Sequence, residues 1–349
     1  MKVFILGAGC SKHCGYPLGP EMKEDLEHFG QSLDPQTSPR LRKAVTDTTE
    51  LMGGAVDTID TLVQKLYDRQ LDSPIGVENA DVQTKAIVRH RRAQTASLAI
   101  SAAFLAKEKR ARELGFSRYR NLLYQLFPGA TSNWFAINRS ACPHVLTFNY
   151  DQAFEIAFLD RFRITGYSLY GQGVLNSGLN VTGIAFEPNA FSFLKLHGSV
   201  GMWVADFPGD PMYFQDEPDN KDPANIRDSL FFVDSPNNHD ESELRRDPLL
   251  FFPSQRQHIL SQETGFLFRK FAQAVWNRAT ELISNATEIH VIGYSFSGID
   301  RGPILGMLSQ AQNCQRLVIQ SPDAEEICNR LKLERPGLRN LIESALFTF

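Results

Sequence analysis

The sequence contains no long apolar run, no marked excess of either charge, no internal repeat and no low-complexity tract. Each absence excludes something. No stretch approaches the ~20 consecutive apolar residues a membrane-spanning helix needs, so no membrane partner is expected. The first apolar run begins at Val3, which leaves no room ahead of it for an export or transit segment. A cytoplasmic chain is the expectation. Lysine and arginine number 36 against 40 acidic residues, a net charge of -4, so nucleic acid is not indicated as a partner on global electrostatics. The two dense basic stretches, residues 89–92 (RHRR) and 107–112 (KEKRAR), read as solvated helix faces.

Cysteine is scarce too. Cys10, Cys14, Cys142, Cys314 and Cys328 are an odd set, which argues for reduced thiols rather than a disulfide framework. A structural zinc site built from two close cysteine pairs needs two such pairs, and only Cys10 and Cys14 lie close together. No metal is expected.

What the chain does have is strands that run into small-residue turns. Val3-Phe4-Ile5-Leu6 empties into Gly7-Ala8-Gly9-Cys10-Ser11. A parallel strand covered on both faces reads as continuous hydrophobics, and glycines let the turn take positive φ and let a phosphate approach the backbone. A helix starting there would aim free N–H groups at that phosphate, with Ser11 placed to cap it. Against the dinucleotide fingerprint the match is incomplete: Lys12 stands where a third glycine would fall. Three further stretches share the form. Residues 145–151 (VLTFNYD), 194–199 (LKLHGS) and 289–298 (IHVIGYSFSG) each pass from apolar to small and polar, where a doubly wound sheet places its ligand crevice.

In that order and at those positions, GAG-x-S, T-x-N-x-D, L-H-G-S and G-x-S resemble the SIR2 family. Within it the chain is more similar to the SIR2-like NAD hydrolases of bacterial antiphage defence than to the protein deacylases. The resemblance runs from Val3 to about Pro322. It implies NAD as substrate, cleavage of the nicotinamide–ribose bond and depletion of NAD during infection. Asn149 would orient the ribose and a water, and His197 would be the general base. Gly7, Ala8, Gly9 and Ser11 would cradle the pyrophosphate, Gly293 and Ser295 would make a second phosphate and ribose contact, and Asp151 would support the nicotinamide pocket. Each has a plainer reading. Asn149 fits a turn cap, His197 a buried hydrogen-bonded histidine, Gly293 and Ser295 a simple strand-to-helix turn, and Asp151 a cap on the helix that follows. Asp300 reads better as a surface acid than as a ribose contact.

The deacylases continue their glycine turn as Gly-Ile-Pro-Asp-Phe-Arg, whereas here Gly15-Tyr16-Pro17 is followed by Leu18-Gly19. With the zinc cysteines also missing, water is the expected acceptor rather than an acyl-lysine. The alternatives are a catalytically silent NAD or ADP-ribose sensor, or a scaffold for a partner such as a HerA-type ATPase, and a deacylase or ADP-ribosyltransferase. Activation is expected from self-association, as a homo-oligomer, or from a separate partner.

The expected fold is a single α/β domain over residues 1–349 with a Rossmann-like parallel sheet, a helical insertion at 20–135 and an irregular segment at 206–247 broken by a strand at 230–233. Helices are expected at 20–26, 152–162, 264–285 and 301–312, and over most of 41–126 with a break at 73–79. A strand is expected at 165–169, a glycine-rich connection at 171–183, a strand at 317–319 and a closing helix at 338–349.

Overall fold

The computed structural model describes residues 1–52, 82–128, 142–162, 174–180, 183–186, 191–204, 230–232, 247–250, 266–296 and 300–346. Its frame is a six-stranded, all-parallel sheet made of β1 (Lys2–Leu6), β2 (His144–Thr147), β5 (Phe193–Lys195), β9 (Glu288–Ile292), β10 (Arg316–Gln320) and β11 (Ile342–Ala345). The spatial order is β11-β10-β9-β1-β2-β5. From β1 the chain steps one way to β2 and β5, then returns to β9 and steps the other way. The direction therefore reverses between β1 and β9, which makes their C-terminal ends the topological switch point of a Rossmann-like α/β fold.

Burial explains why these runs became central strands. Val3, Phe4, Ile5 and Leu6 are all buried, as are Val145, Leu146, Ile289 and Val291, because helices cover both faces of the sheet. Between β1 and β2 lie α1 (Met22–Ser32), α2 (Pro39–Leu51), α3 (Val82–Leu114) and α4 (Ser117–Leu126). Next come α5 (Ala153–Phe162), α6 (Phe266–Ser284), α7 (Arg301–Ser309) and α8 (Ala324–Glu334). The end of α4 and all of α5 are locked to the sheet edge by phenylalanines. Phe127 meets Phe158, Phe162 and Phe191 edge-on at 5.4–5.9 Å, and Phe154 stacks on Phe193 at 4.9 Å, geometries that add to simple area burial.

Smaller sheets flank the main one. β3 (Val174–Asn180) and β4 (Gly183–Phe186) pair antiparallel, and β6 (Gly198–Val204) lies between β7 (Leu230–Phe232) and β8 (Asp247–Leu250), also antiparallel.

Several expectations are corrected. No α-helix follows the first glycine turn; three 3-10 turns, Ala8–Cys10, Lys12–Cys14 and Gly19–Glu21, carry the chain to α1. Gly15, at φ +84, ends the second of them, where a left-handed residue breaks helical bonding. The closing helix is instead the edge strand β11, parallel to β10. Only Ile342 in it is buried, as suits an edge that needs one anchor. Between β10 and β11 lies α8, for which no expectation was formed, buried through Ala324, Ile327, Cys328 and Leu331. Part of the glycine-rich connection pairs as the β3–β4 ribbon. In the basic stretch at 107–112, Glu108 is buried and paired with Arg112 at 2.6 Å, so that face is not wholly solvated. Both the break at 73–79 and the strand at 165–169 lie outside the described residues, as does most of 206–247.

His144 makes stability pH-dependent. It is buried at the start of β2, and its Nδ1 accepts the Ser192 amide hydrogen at 3.2 Å. Burial, aided by the Arg278 guanidinium, pushes its pKa down to about 4 from the ordinary 6.5. Below pH 6.5 the unfolded chain takes up a proton that the folded chain refuses until about pH 4, so stability is lost as pH falls through that window. The effect is at most ~3 kcal/mol. Urea midpoints for wild type should drop across this window more steeply than those of His144→Gln, whose amide oxygen accepts the same hydrogen without titrating; equal slopes would exclude the assignment.

Candidate functional site

The two glycine turns at the switch point interlock. The Gly7 amide donates to Ile292 O at 2.8 Å, and the Gly9 amide to Gly293 O at 3.0 Å. A Cβ on Gly7 would sit 2.5 Å from Gly293 O, and one on Gly293, which has φ +64, would sit 2.6 Å from Cys10 N. Such distances admit only glycine. These residues are thus required by turn-to-turn packing; the amides of Gly7 and Gly9 are spent on it, and that of Gly293 donates to Gln320 O at 2.8 Å. Ala8, by contrast, is exposed at the first position of the 3-10 turn, and none of the described backbone hydrogen bonds uses its amide.

Ser11 does not cap a helix. Its buried hydroxyl lies 2.7 Å from Tyr119 OH on α4 and accepts from Asn149 Nδ2 at 3.0 Å. Asn149 Nδ2 also reaches Tyr119 OH at 3.4 Å. Burial pushes the Tyr119 phenol well above its ordinary pKa, so it stays a neutral donor. Asn149 itself is buried just past β2, and its Oδ1 has no hydrogen-bond partner among the described residues. Since a buried polar atom without a partner is costly, one in a native site asks for an explanation.

His197 sits in the tight turn between β5 and β6, which Gly198 at φ +70 makes possible. Trp276 Nε1 donates to Leu196 O at 3.1 Å and holds the backbone just before it. The imidazole is buried, edge-on to Phe148 at 5.2 Å and stacked on Tyr150 at 5.6 Å. Its Nε2 is 2.9 Å from Oδ2 of Asp300. No hydrogen bond is formed across that contact, and the buried Oδ1 of Asp300 is likewise without one.

The contact between His197 and Asp300 locates the site. In the sheet β5 and β9 are three positions apart, about 14 Å at ~4.8 Å per strand, yet the residues following them touch. His197 and Asp300 therefore meet across the C-terminal ends of β1 and β2, where Asn149 lies. Phe148 is stacked on Tyr294 at 4.8 Å as well as meeting His197. Phe296, buried behind Tyr294, has φ +52, a left-handed backbone that a bulky residue adopts only under strain. Ser295 is exposed, and its carbonyl accepts from Arg330 at 2.7 Å.

Asp151 takes its plainer role. Its Oδ1 accepts the Ala153 amide hydrogen at 2.9 Å and caps α5. Below it Lys195, fully buried, pairs with Glu155 at 2.9 Å and donates to Asp151 O.

Asn149, Ser11 and the two glycine turns are thus brought together. His197 is held above with Asp300, and Asp151 serves the helix. Sequence reasoning missed Tyr119 and misplaced Asp300. An i, i+3, i+4 pattern of Tyr119, Leu122 and Leu123 looks like an ordinary core face, and Asp300 immediately before a helix reads as a cap, a role its side chain does not take.

A cleft of about 280 Å³ opens beside the first turn, lined by Lys12, Gly15, Tyr16, Glu21 and His28 among others, but not by Asn149, His197 or Asp300. All five cysteines are free and buried, and burial pushes the Cys14 thiol up to about 12, which leaves it a poor nucleophile. Among the described residues no group of three or more His, Cys, Asp or Glu is placed to hold a metal ion, and no helix is long and apolar enough to cross a membrane. No protein-family model and no curated protein matches the chain.

Proposed function

We propose that the chain is a SIR2-like NAD hydrolase that releases nicotinamide and ADP-ribose. The observation that carries this reading is the buried Asn149 Oδ1, which has no hydrogen-bond partner among the described residues, together with the His197–Asp300 contact at the C-terminal edge of a doubly wound sheet. A sheet of that kind takes its ligand at this edge, and amide, imidazole and carboxylate groups suit the hydroxyls of a ribose.

The chemistry asks little of an acid. Nicotinamide leaves as a neutral base from a pyridinium, so the carbon–nitrogen bond breaks without protonation. The protein must hold the ribose as oxocarbenium character develops and bring an oxygen nucleophile to the open face. Asn149 Oδ1 would accept from a ribose hydroxyl or the attacking water, and His197 would take the proton released. Phe148 and Tyr150 wall the histidine and limit bulk water around it.

Other features support an idle form. The amides of Gly7 and Gly9 and the hydroxyl of Ser11 are engaged within the protein, so a pyrophosphate would need the interlocked turns to part. Self-association as a homo-oligomer, or a separately encoded partner, would supply that opening. Setting and trigger, NAD depletion in antiphage defence, belong to this same proposal, as do a helical insertion over 20–135 and the absence of a zinc module.

The test is the fate of NAD incubated with the purified protein, followed by chromatography. Stoichiometric nicotinamide and ADP-ribose is the expected result. Saturable binding of NAD or ADP-ribose without cleavage, under conditions that include the assembled oligomer, would favour the sensor reading instead, and transfer to an acyl-lysine or protein acceptor the third.

A further inference from the structure

Asp300 occupies the N-cap position of α7, with φ -72 and ψ -12, yet its side chain makes no capping hydrogen bond. An aspartate at that position ordinarily caps, because its oxygen satisfies an orphan amide of the first turn. Here the carboxylate turns inward. It is 6% exposed, it lies 2.9 Å from His197 Nε2, and its other oxygen is buried without a partner. Among the described residues His197 is its one ion-pair neighbour. Giving up a cap and burying a carboxylate are both costly, and the shared consequence is a fixed relation between this carboxylate and that imidazole.

The relation selects one form of the ring. A neutral imidazole carries a hydrogen on one nitrogen and a lone pair on the other. Although no hydrogen bond is formed across the contact, a carboxylate oxygen 2.9 Å away attracts an N–H and repels a lone pair, so the hydrogen belongs on Nε2 and the lone pair on Nδ1. None of the described residues hydrogen-bonds Nδ1. Phe148 and Tyr150 hold the ring plane from two sides, and the Trp276 bond to Leu196 O holds the backbone.

We propose that Asp300 is a positioning residue, fixing His197 in the Nε2–H tautomer and orientation so that Nδ1 is the proton-accepting atom. What the proton comes from rests on the NAD-cleavage reading; the tautomer does not. In the step, an O–H bond of water breaks, and its electron pair forms the new bond from the water oxygen to the anomeric carbon. The proton passes to Nδ1, and the resulting imidazolium faces the Asp300 carboxylate. The pair from the carbon–nitrogen bond leaves with nicotinamide.

The experiment is nitrogen-15 NMR of the full-length protein labelled at histidine, with His197 assigned by loss of its signals in His197→Gln. In wild type, Nε2 should show the shift of a protonated ring nitrogen and Nδ1 that of an unprotonated one. A hydrogen on Nδ1 in wild type would overturn the proposal with no variant needed. Asp300→Asn, which can present an NH2 to the ring, should lose the single tautomer, and Asp300→Glu should keep it. The same tautomer in wild type and Asp300→Asn would also overturn it. If the wild type cleaves NAD, kcat should fall about 100-fold or more in Asp300→Asn with KM nearly unchanged, the pattern of a wrong tautomer in an intact site; a fall confined to kcat/KM through KM would count against the role. If the wild type cleaves nothing, the functional reading fails while the NMR comparison still decides the tautomer.

Discussion

In His197→Ala, nicotinamide release from NAD falls by roughly 100- to 10,000-fold, the range a positioned general base supplies, and in Asn149→Ala it falls comparably. The two losses should differ in kind. Removing His197 takes away a proton acceptor and leaves a gap between Phe148 and Tyr150, so His197→Gln is the proper control for shape: it should fold as wild type does and remain inactive. Removing Asn149 leaves Ser11 and Tyr119 still bonded to each other at 2.7 Å, so that protein should stay folded. It loses the amide whose Oδ1 has no partner inside the protein. Equal turnover in wild type and either alanine variant, measured by chromatography of the products, would remove that residue from the mechanism.

Much of the frame was readable from hydrophobic runs alone. The strands β1, β2, β9 and β10 are continuous apolar stretches ending in small residues, and central parallel strands have to look like that. The same logic fails at the edge. β11 needs only Ile342 buried, and a four-residue element with one anchor has no period to distinguish strand from helix. A similar limit applies to the glycines. Their spacing announced a turn that admits no side chain, but not what approaches it. In the folded chain the answer for Gly7 and Gly293 is the opposite turn, whose atoms lie 2.5 and 2.6 Å from where their Cβ atoms would be. Asp300 was misplaced because its burial is a property of tertiary structure. Nothing local says that the loops after β5 and β9 meet above β1 and β2. Asn149 and His197 were singled out because each follows a strand within a motif, whereas Tyr119 was hidden in a pattern that any amphipathic helix shows.

Breaking the Lys195–Glu155 pair should have the largest effect on stability. Lys195 and Glu155 side chains are 1% and 5% exposed, with Nζ 2.9 Å from Oε1, and Ser199 Oγ donates to the same oxygen at 3.4 Å. Removing one partner of a buried pair strands the other charge, at a cost of roughly 3–5 kcal/mol. Lys195→Met should therefore unfold at much lower urea than wild type. Lys195→Met combined with Glu155→Leu strands no charge and should regain most of that loss, since well-packed apolar replacements of buried pairs are often neutral or better. A double variant as unstable as Lys195→Met would show that the cost lies elsewhere. Recovery of stability should not bring recovery of turnover. Lys195 also donates to Asp151 O, and Asp151 caps α5 at Ala153, so the lysine pins the backbone two residues beyond Asn149 while the glutamate anchors it from the helix. With both gone, the loop after β2 loses its side-chain tie to β5. Asn149 would keep its bonds to Ser11 and Tyr119 on a less firmly held backbone, and misplacing a positioning group by an ångström costs on the order of 100-fold in rate. A stable double variant with wild-type turnover would separate the two roles and leave the pair as a fold element alone.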